Sequence, residues 1–120
     1  MIALHYPVTD STNTRAARLA ALNPGRALLV SAGAQTAGRG RIGRAWQSPA
    51  GGAWFSVAWS TAAPPEATEA ASLVAGLAVR RVLAALPGVE PADLLVKWPN
   101  DILLGGRKLV GILCERTLPP

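Results

Sequence analysis

Apolar and polar positions along the chain change period several times, and each change marks an element. The opening run Ile2 to Tyr6 is apolar and is closed by Pro7, which predicts a short strand. Asp10-Ser11-Thr12-Asn13 follows, a cluster whose side-chain oxygens can accept the free N–H groups of a helix start. The helix itself is predicted from Thr14 to Leu22, rich in Ala and Arg, and stops at Asn23-Pro24-Gly25, where Pro removes a donor and Gly tolerates positive φ. Ala27 to Ala32 is a short apolar run suited to a buried strand, and Gly33 to Arg44 is a glycine-rich basic loop. After the turn Pro49-Ala50-Gly51-Gly52 comes a strand, Trp54 to Ser60. Pro64-Pro65-Glu66 opens the longest predicted helix, with Glu66 and Glu69 at the positive end of its dipole. Its apolar positions Leu73, Val74, Leu77, Ala78, Val82 and Leu86 follow the helical period until Pro87-Gly88. The remainder reads as a strand Leu94 to Lys97, a corner Trp98-Pro99-Asn100-Asp101, a strand Ile102 to Leu104, a Gly105-Gly106 hairpin turn and a strand Lys108 to Glu115. Strands with interspersed helices and no internal repeat predict an α+β fold, a mixed or antiparallel sheet with its helices on one face.

Composition narrows this further. With 120 residues, 50% apolar and 16% charged, the chain is rich enough in core formers to fold and short enough that residues 1–120 are expected to form one domain. A positive mean hydropathy and four Trp at this length leave apolar faces in search of partners, so the chain is expected to be part of a larger domain. Ala70 to Val79 is about half of the roughly 20 residues that a membrane span needs, and the N-terminus has no signal-peptide pattern, so a cytoplasmic protein without membrane contact is expected. The single Cys114 has no partner for a disulfide or a zinc site. The net charge is +5, and ten of the twelve basic residues are Arg, three of them in Arg39, Arg41 and Arg44. Guanidinium forks suit phosphate and carboxylate, which leaves a nucleotide and a nucleic acid equally open at this point.

Gly38-Arg39-Gly40-Arg41-Ile42-Gly43-Arg44, with Trp46 just beyond, resembles the biotin- and ATP-binding loop of biotin–protein ligases. Three more segments occur in that family's order: Asp10-Ser11-Thr12-Asn13, Gln35 shortly before the loop, and Lys97-Trp98-Pro99-Asn100-Asp101 followed by Lys108-Leu109-Val110-Gly111-Ile112-Leu113. The resemblance runs from Tyr6 to Glu115 and departs at Ile42, where many members carry a further Arg. It implies the first part of a catalytic domain with the class II aminoacyl-tRNA synthetase-like biotin ligase fold. The activity it implies is ATP-dependent conversion of biotin to biotinyl-5′-AMP, then transfer to a lysine of a biotin carboxyl carrier protein, with Mg²⁺ accompanying the nucleotide.

Both reactants of the first step are anions, so the chemistry asks for cationic donors and preorganised backbone N–H groups and needs no protein nucleophile. The resemblance implies that Ser11, Thr12, Asn13, Gln35, Gly38, Arg39, Gly40, Arg41 and Lys108 bind biotin, with Gly111 and Leu113 lining its ring. It places Arg39, Arg41, Arg44, Trp46, Asn100 and Asp101 at the nucleotide. Lys108 and Arg41 take the catalytic roles, and no residue is assigned as a metal ligand. Read without the family, Ser11 to Asn13 are a helix cap, Gln35 is a loop amide, Lys108 faces solvent from a strand and Asn100-Asp101 cap a turn.

Two rivals predict other features. A lipoate ligase or octanoyltransferase shares the acyl-to-lysine chemistry but lacks the Gly-Arg alternation, and the transferases use a nucleophilic Cys that Cys114 does not resemble. A basic nucleic-acid-binding module should interleave aromatic residues with its Arg, and Trp46 is the one aromatic near the loop. No helix-turn-helix segment precedes Tyr6, so no nucleic-acid partner is expected; a homodimer is compatible with the sequence.

Overall fold

The computed structural model describes residues 1–117, with nothing stated of the side chains of Thr68 and Glu69; the dipole role expected of Glu69 and the segment Leu118-Pro119-Pro120 lie outside the described residues. The chain divides into two compact units, the first Met1–Ala62 and the second from Ala63 on.

In the first unit, β1 (Ile2–Thr9) pairs in parallel with β2 (Leu28–Gln35), and β2 pairs antiparallel with β3 (Trp54–Ala58), giving the order β1-β2-β3. A parallel pair cannot be closed by a tight turn, and the crossover between β1 and β2 is α1 (Thr12–Leu22), which packs on β2 and β3. Ala16 of α1 and Leu28, Val30 and Ala32 of β2 form the buried core. Two strand ends differ from expectation. Pro7 does not end β1: it takes no partner in β2, and an edge strand tolerates a residue without a donor. β2 likewise runs on to Gln35 instead of stopping at Ala32. Gly33 is the reason, because a Cβ there would lie 2.8 Å from the Pro7 carbonyl oxygen, so only glycine lets the two strands stay this close. The loop therefore begins at Thr36. β3 ends at Ala58, two residues short of the expected Ser60.

The second unit holds α2 (Ala67–Leu83) and an antiparallel meander, β4 (Leu94–Lys97), β5 (Asp101–Leu104) and β6 (Arg107–Gly111). Gly105 and Gly106, both at positive φ, make the hairpin turn between β5 and β6. α2 packs on β4 and β5, where Leu94 and Ile102 are fully buried. The apolar face of Leu73, Val74, Leu77 and Val82, expected to be only partly covered, is largely open, Leu73 alone of the four being half-buried. Among the described residues of the helix Gly76 is the buried one and sits over Val96 and Ile112, while Val74, Leu77 and Val82 are exposed. A small residue lets the helix axis approach the sheet, and the covered face follows Gly76, Val79 and Leu83 rather than the bulkiest side chains. Arg80 anchors the helix by donating from Nε to the Leu94 carbonyl (2.8 Å) and from Nη2 to that of Pro91 (3.0 Å). β6 stops at Gly111, not Glu115, so Leu113 and Cys114 lie beyond the strand. Two helices and two small sheets, one mixed and one antiparallel, make this an α+β chain.

Candidate functional site

In the first unit the N-terminus of α1, the end of β2 and the arginine loop meet. Ser11 caps α1, its Oγ accepting from Thr14 N at 3.4 Å. Thr12 N, a first-turn donor the cap does not use, donates to Gln35 Oε1 at 2.7 Å, and Thr12 Oγ1 donates to the same oxygen at 3.1 Å. Gln35 Nε2 donates to Ser48 Oγ at 2.8 Å, and Ser48 Oγ donates to the Trp46 carbonyl at 3.2 Å. Ser56, pointing inward from β3, lies 2.8 Å from Thr12 Oγ1 and also against Asn13 Oδ1, and its one hydroxyl proton serves one of these oxygens at a time. Ser11, Thr12, Asn13 and Gln35 are thus one connected polar cluster. Ser48 and Ser56 belong to it as well, although no sequence motif singled them out; a polar residue between Phe55 and Val57 on an otherwise apolar strand was the available sign for Ser56.

The arginine loop closes on itself. Trp46 N donates to the Gly38 carbonyl at 2.8 Å, Arg39 bridges Ala45, and Gly40 N donates to the Arg44 carbonyl at 2.7 Å. A 3₁₀ turn at Arg41–Gly43 forms the tip, with exposed Ile42 in the left-handed region at φ 58° and Gly43 at φ 68°. Arg39, Arg41 and Arg44 are exposed, whereas Gly38 is buried and Trp46 half-buried. The three loop glycines do different things. A Cβ on Gly38 would lie 2.5 Å from the Trp46 carbonyl oxygen and 2.6 Å from Ser48 Oγ; Gly43 supplies a positive φ; a Cβ on Gly40 would meet nothing nearer than 3.5 Å. Charge is concentrated in this unit. Residues 1–62 hold six Arg against Asp10 as their sole carboxylate, while residues 63–120 hold six basic and six acidic residues. Asp10 itself is held below the usual carboxylate range, above all by the Ser11 N–H that it accepts at 2.8 Å; desolvation, the next largest influence, opposes this, and the Thr9 hydroxyl, Arg18 and Arg15 add to the lowering.

In the second unit, Lys108 Nζ lies 2.9 Å from Asp101 Oδ1. That oxygen is buried and the approach is off the hydrogen-bonding direction, so charge rather than a directed bond holds the pair. Lys108 is therefore not simply a solvent-facing strand residue, and Asp101 does not cap a turn; it begins β5 and pairs in register with Gly111. Asn100, after the cis Trp98–Pro99 bond, donates from Nδ2 to the Ile112 carbonyl (3.1 Å) and accepts from Ile112 N (2.8 Å), which fixes the backbone leading to half-buried Leu113. Burial pushes the nearby Cys114 thiol up from its ordinary pKa. Among the described residues no group of three or more His, Cys, Asp or Glu could hold a metal ion, and no helix is long and apolar enough to cross a membrane.

Comparison with known proteins gives the same family throughout. The chain is 41% identical over 113 residues to the bifunctional ligase/repressor BirA of Bacillus spizizenii, covering 93% of this chain and 34% of that protein. It is 43% identical over 109 residues to the biotin–[acetyl-CoA-carboxylase] ligase of Paracoccus denitrificans, 91% of this chain and 45% of the relative. Among solved structures, the Leishmania major biotin protein ligase in complex with biotinyl-5-AMP matches with a TM-score of 0.84 at 32% identity, over 97% of this chain and 52% of that one. The Aquifex aeolicus biotin protein ligase in complex with biotin and ATP matches with a TM-score of 0.75 at 30% identity, over 97% and 47%. The chain thus spans between a third and about half of the proteins it resembles. The model of the biotin/lipoate A/B protein ligase family matches residues 5–119, and with this fold, this arginine loop and these relatives the chain belongs to that family.

Proposed function

We propose that residues 1–120 form part of the single catalytic domain of a biotin–protein ligase, which makes biotinyl-5′-AMP from biotin and ATP and passes the biotinyl group to a lysine of a biotin carboxyl carrier protein. The observation that carries this reading is the arginine loop, closed on itself and tied through Ser48 and Gln35 to the first turn of α1. A cationic loop beside neutral donors and acceptors suits a ligand that is polar and uncharged at one end and phosphorylated at the other. In the first step a biotin carboxylate oxygen bonds to the α-phosphorus of ATP and pyrophosphate leaves. In the second, the carrier's lysine amine attacks the acyl carbon, loses a proton, and AMP leaves.

Thr12, Asn13 and Gln35 hydrogen-bond the biotin head, and Ser11 adds the lone pair that its cap bond leaves. Gly38 and Gly40 bring loop backbone close, and Gly111 and Leu113 line the ring. Arg39, Arg41 and Arg44 meet phosphate and Trp46 the adenine, while Asn100 and Asp101 border the nucleotide. Lys108 offsets charge that develops between carboxylate and phosphate, as a preorganised cation does. Asp101 faces Lys108, and among the described residues no cluster of carboxylates could cage magnesium, which would arrive with the nucleotide's phosphates. An ATP-dependent reaction fits a cytoplasmic address. The test is calorimetric titration of the whole catalytic domain containing residues 1–120, which alone are expected not to complete biotinylation, with biotinyl-5′-AMP and octanoyl-5′-AMP in parallel, followed by mass spectrometry of a carrier domain incubated with that domain, biotin, ATP and magnesium. Tight binding of the biotinyl adenylate alone, with a biotinyl mass increment on the carrier, is expected; preference for the octanoyl adenylate overturns the reading.

A further inference from the structure

Ser48 is given no contact with a ligand in the reading above, yet it is 4% exposed and stands between the loop and the rest of the polar cluster. Both ends of its hydrogen-bond chain are backbone groups whose direction is fixed. Thr12 N–H can only donate, so the Gln35 oxygen must face α1 and the Gln35 amide nitrogen must face Ser48. The Trp46 carbonyl can only accept, so the single Ser48 proton goes to Trp46 and the Ser48 lone pair receives Gln35. Donation therefore runs in one direction, from the helix N–H of Thr12 through Gln35 and Ser48 to the loop carbonyl of Trp46.

We propose that Ser48 is a positioning residue of the arginine loop: its hydroxyl couples the Gln35 amide to the Trp46 carbonyl, and through that coupling governs how long the loop retains an adenylate it does not itself touch. Trp46 is the residue whose N–H closes the loop on Gly38, so holding its carbonyl holds the loop base. Ser48 Oγ and the Trp46 carbonyl lie so near Gly38 that a Cβ there would have no room, which places the hydroxyl beside the loop base. The Ser48 main chain is anchored separately, its carbonyl accepting from Gln35 N at 3.0 Å, so replacing the side chain leaves the strand bridge in place. The adenylate part of this inference rests on the biotin–protein ligase reading; the coupling does not.

The experiment compares the unmodified protein with Ser48→Ala, Ser48→Thr and Gln35→Met, reading amide hydrogen exchange without ligand and the release rate of biotinyl-5′-AMP. Ser48→Ala is expected to speed exchange at Gly40 and Trp46 by about tenfold, the scale of one buried hydrogen bond lost from a local opening, and to leave Val30 in β2 unchanged. Gln35→Met, which alters neither Ser48 nor the loop, is expected to speed exchange at Trp46 as well, and Ser48→Thr to keep the original rates. Release of biotinyl-5′-AMP should quicken by about tenfold in Ser48→Ala. Unchanged exchange at Trp46 in both Ser48→Ala and Gln35→Met overturns the coupling, and quickened exchange with unchanged release overturns its role in retention. If the unmodified protein binds no biotinyl-5′-AMP, the biotin–protein ligase reading has failed, and exchange alone still decides the coupling.

Discussion

Gly38→Ala and Gly40→Ala, two residues apart in the same loop, should behave oppositely. A Cβ on Gly38 would lie 2.5 Å from the Trp46 carbonyl oxygen, 2.6 Å from Ser48 Oγ and 3.1 Å from Gln35 Nε2, where ordinary contact begins at 3.4 Å. The nearest of these atoms is backbone, so relief requires the Trp46 strand of the loop to move away. That movement breaks the 2.8 Å bond from Trp46 N to the Gly38 carbonyl. Overpacking of this kind costs about 1–3 kcal/mol and the lost bond about 1 more, so a loss of roughly 2–4 kcal/mol is expected. Gly40 has φ −109° and ψ −174°, open to any residue, and its Cβ would meet the Arg44 carbonyl oxygen at 3.5 Å and Trp46 Cε3 at 3.9 Å. Alanine there fits and narrows the unfolded ensemble, for a gain of about 0.4–1 kcal/mol. Urea denaturation of both variants, fitted with a common slope, reads the difference. A Gly38→Ala midpoint equal to that of the unmodified protein, or an equally large loss in Gly40→Ala, would refute the assignment of Gly38 to packing. If Gly40→Ala is stable but binds biotinyl-5′-AMP poorly, its glycine serves the ligand and not the fold.

Three further expectations can be checked alongside. Arg41→Gly should speed dissociation of biotinyl-5′-AMP while moving the thermal midpoint little, because an exposed loop residue contributes little to stability; unchanged dissociation in a filter-binding assay counts against the loop's role. Lys108→Ala should raise the barrier to adenylate formation by about 2–4 kcal/mol in single-turnover kinetics, and because it leaves Asp101 without its cation it should also lower stability by up to about 1 kcal/mol. The lowered pKa of Asp10 means that its contribution to stability is present above the ordinary value of 3.8 and is lost as pH falls through the lower folded-state value; the stability gap between the unmodified protein and Asp10→Ala should therefore shrink from pH 6 to pH 3 in denaturant titrations.

Elements with a clean period were legible in the sequence, and their limits were not. Both helices and all six strands occur near the expected positions, because Pro, Gly and capping residues separate them. Pro7 and Gly33 misled for a shared reason: each breaks a strand when taken alone, but together they let β1 and β2 pack against each other. The last strand was overextended because its apolar run continues to Cys114, while Asn100 takes hold of Ile112 and ends the regular ladder. The close approach of α2 to its sheet at Gly76 was not legible, because one glycine inside a helical run carries no periodic signal. Glycine and arginine spacing made the loop visible, and the cluster Ser11 to Asn13 with Gln35 followed from the family resemblance. Ser48 and Ser56 escaped because a serine in isolation has no periodic signature; what defines them is the partners that folding brings within 3 Å or so.

The uneven distribution of charge has a kinetic consequence. With six arginines answered by one carboxylate, residues 1–62 surround themselves with a positive potential that reaches as far as the ionic atmosphere allows, about 8 Å at 0.15 M salt and about 30 Å at 0.01 M. Polyanions such as ATP are drawn in from bulk across that distance, so the encounter rate should fall as salt is added. The residues after Ala62, with equal numbers of both signs, exert no such net pull. Ionic strength therefore acts on how often an anion arrives, while the part-buried hydrogen bonds from Thr12 through Gln35 and Ser48 to Trp46 are hardly reached by salt.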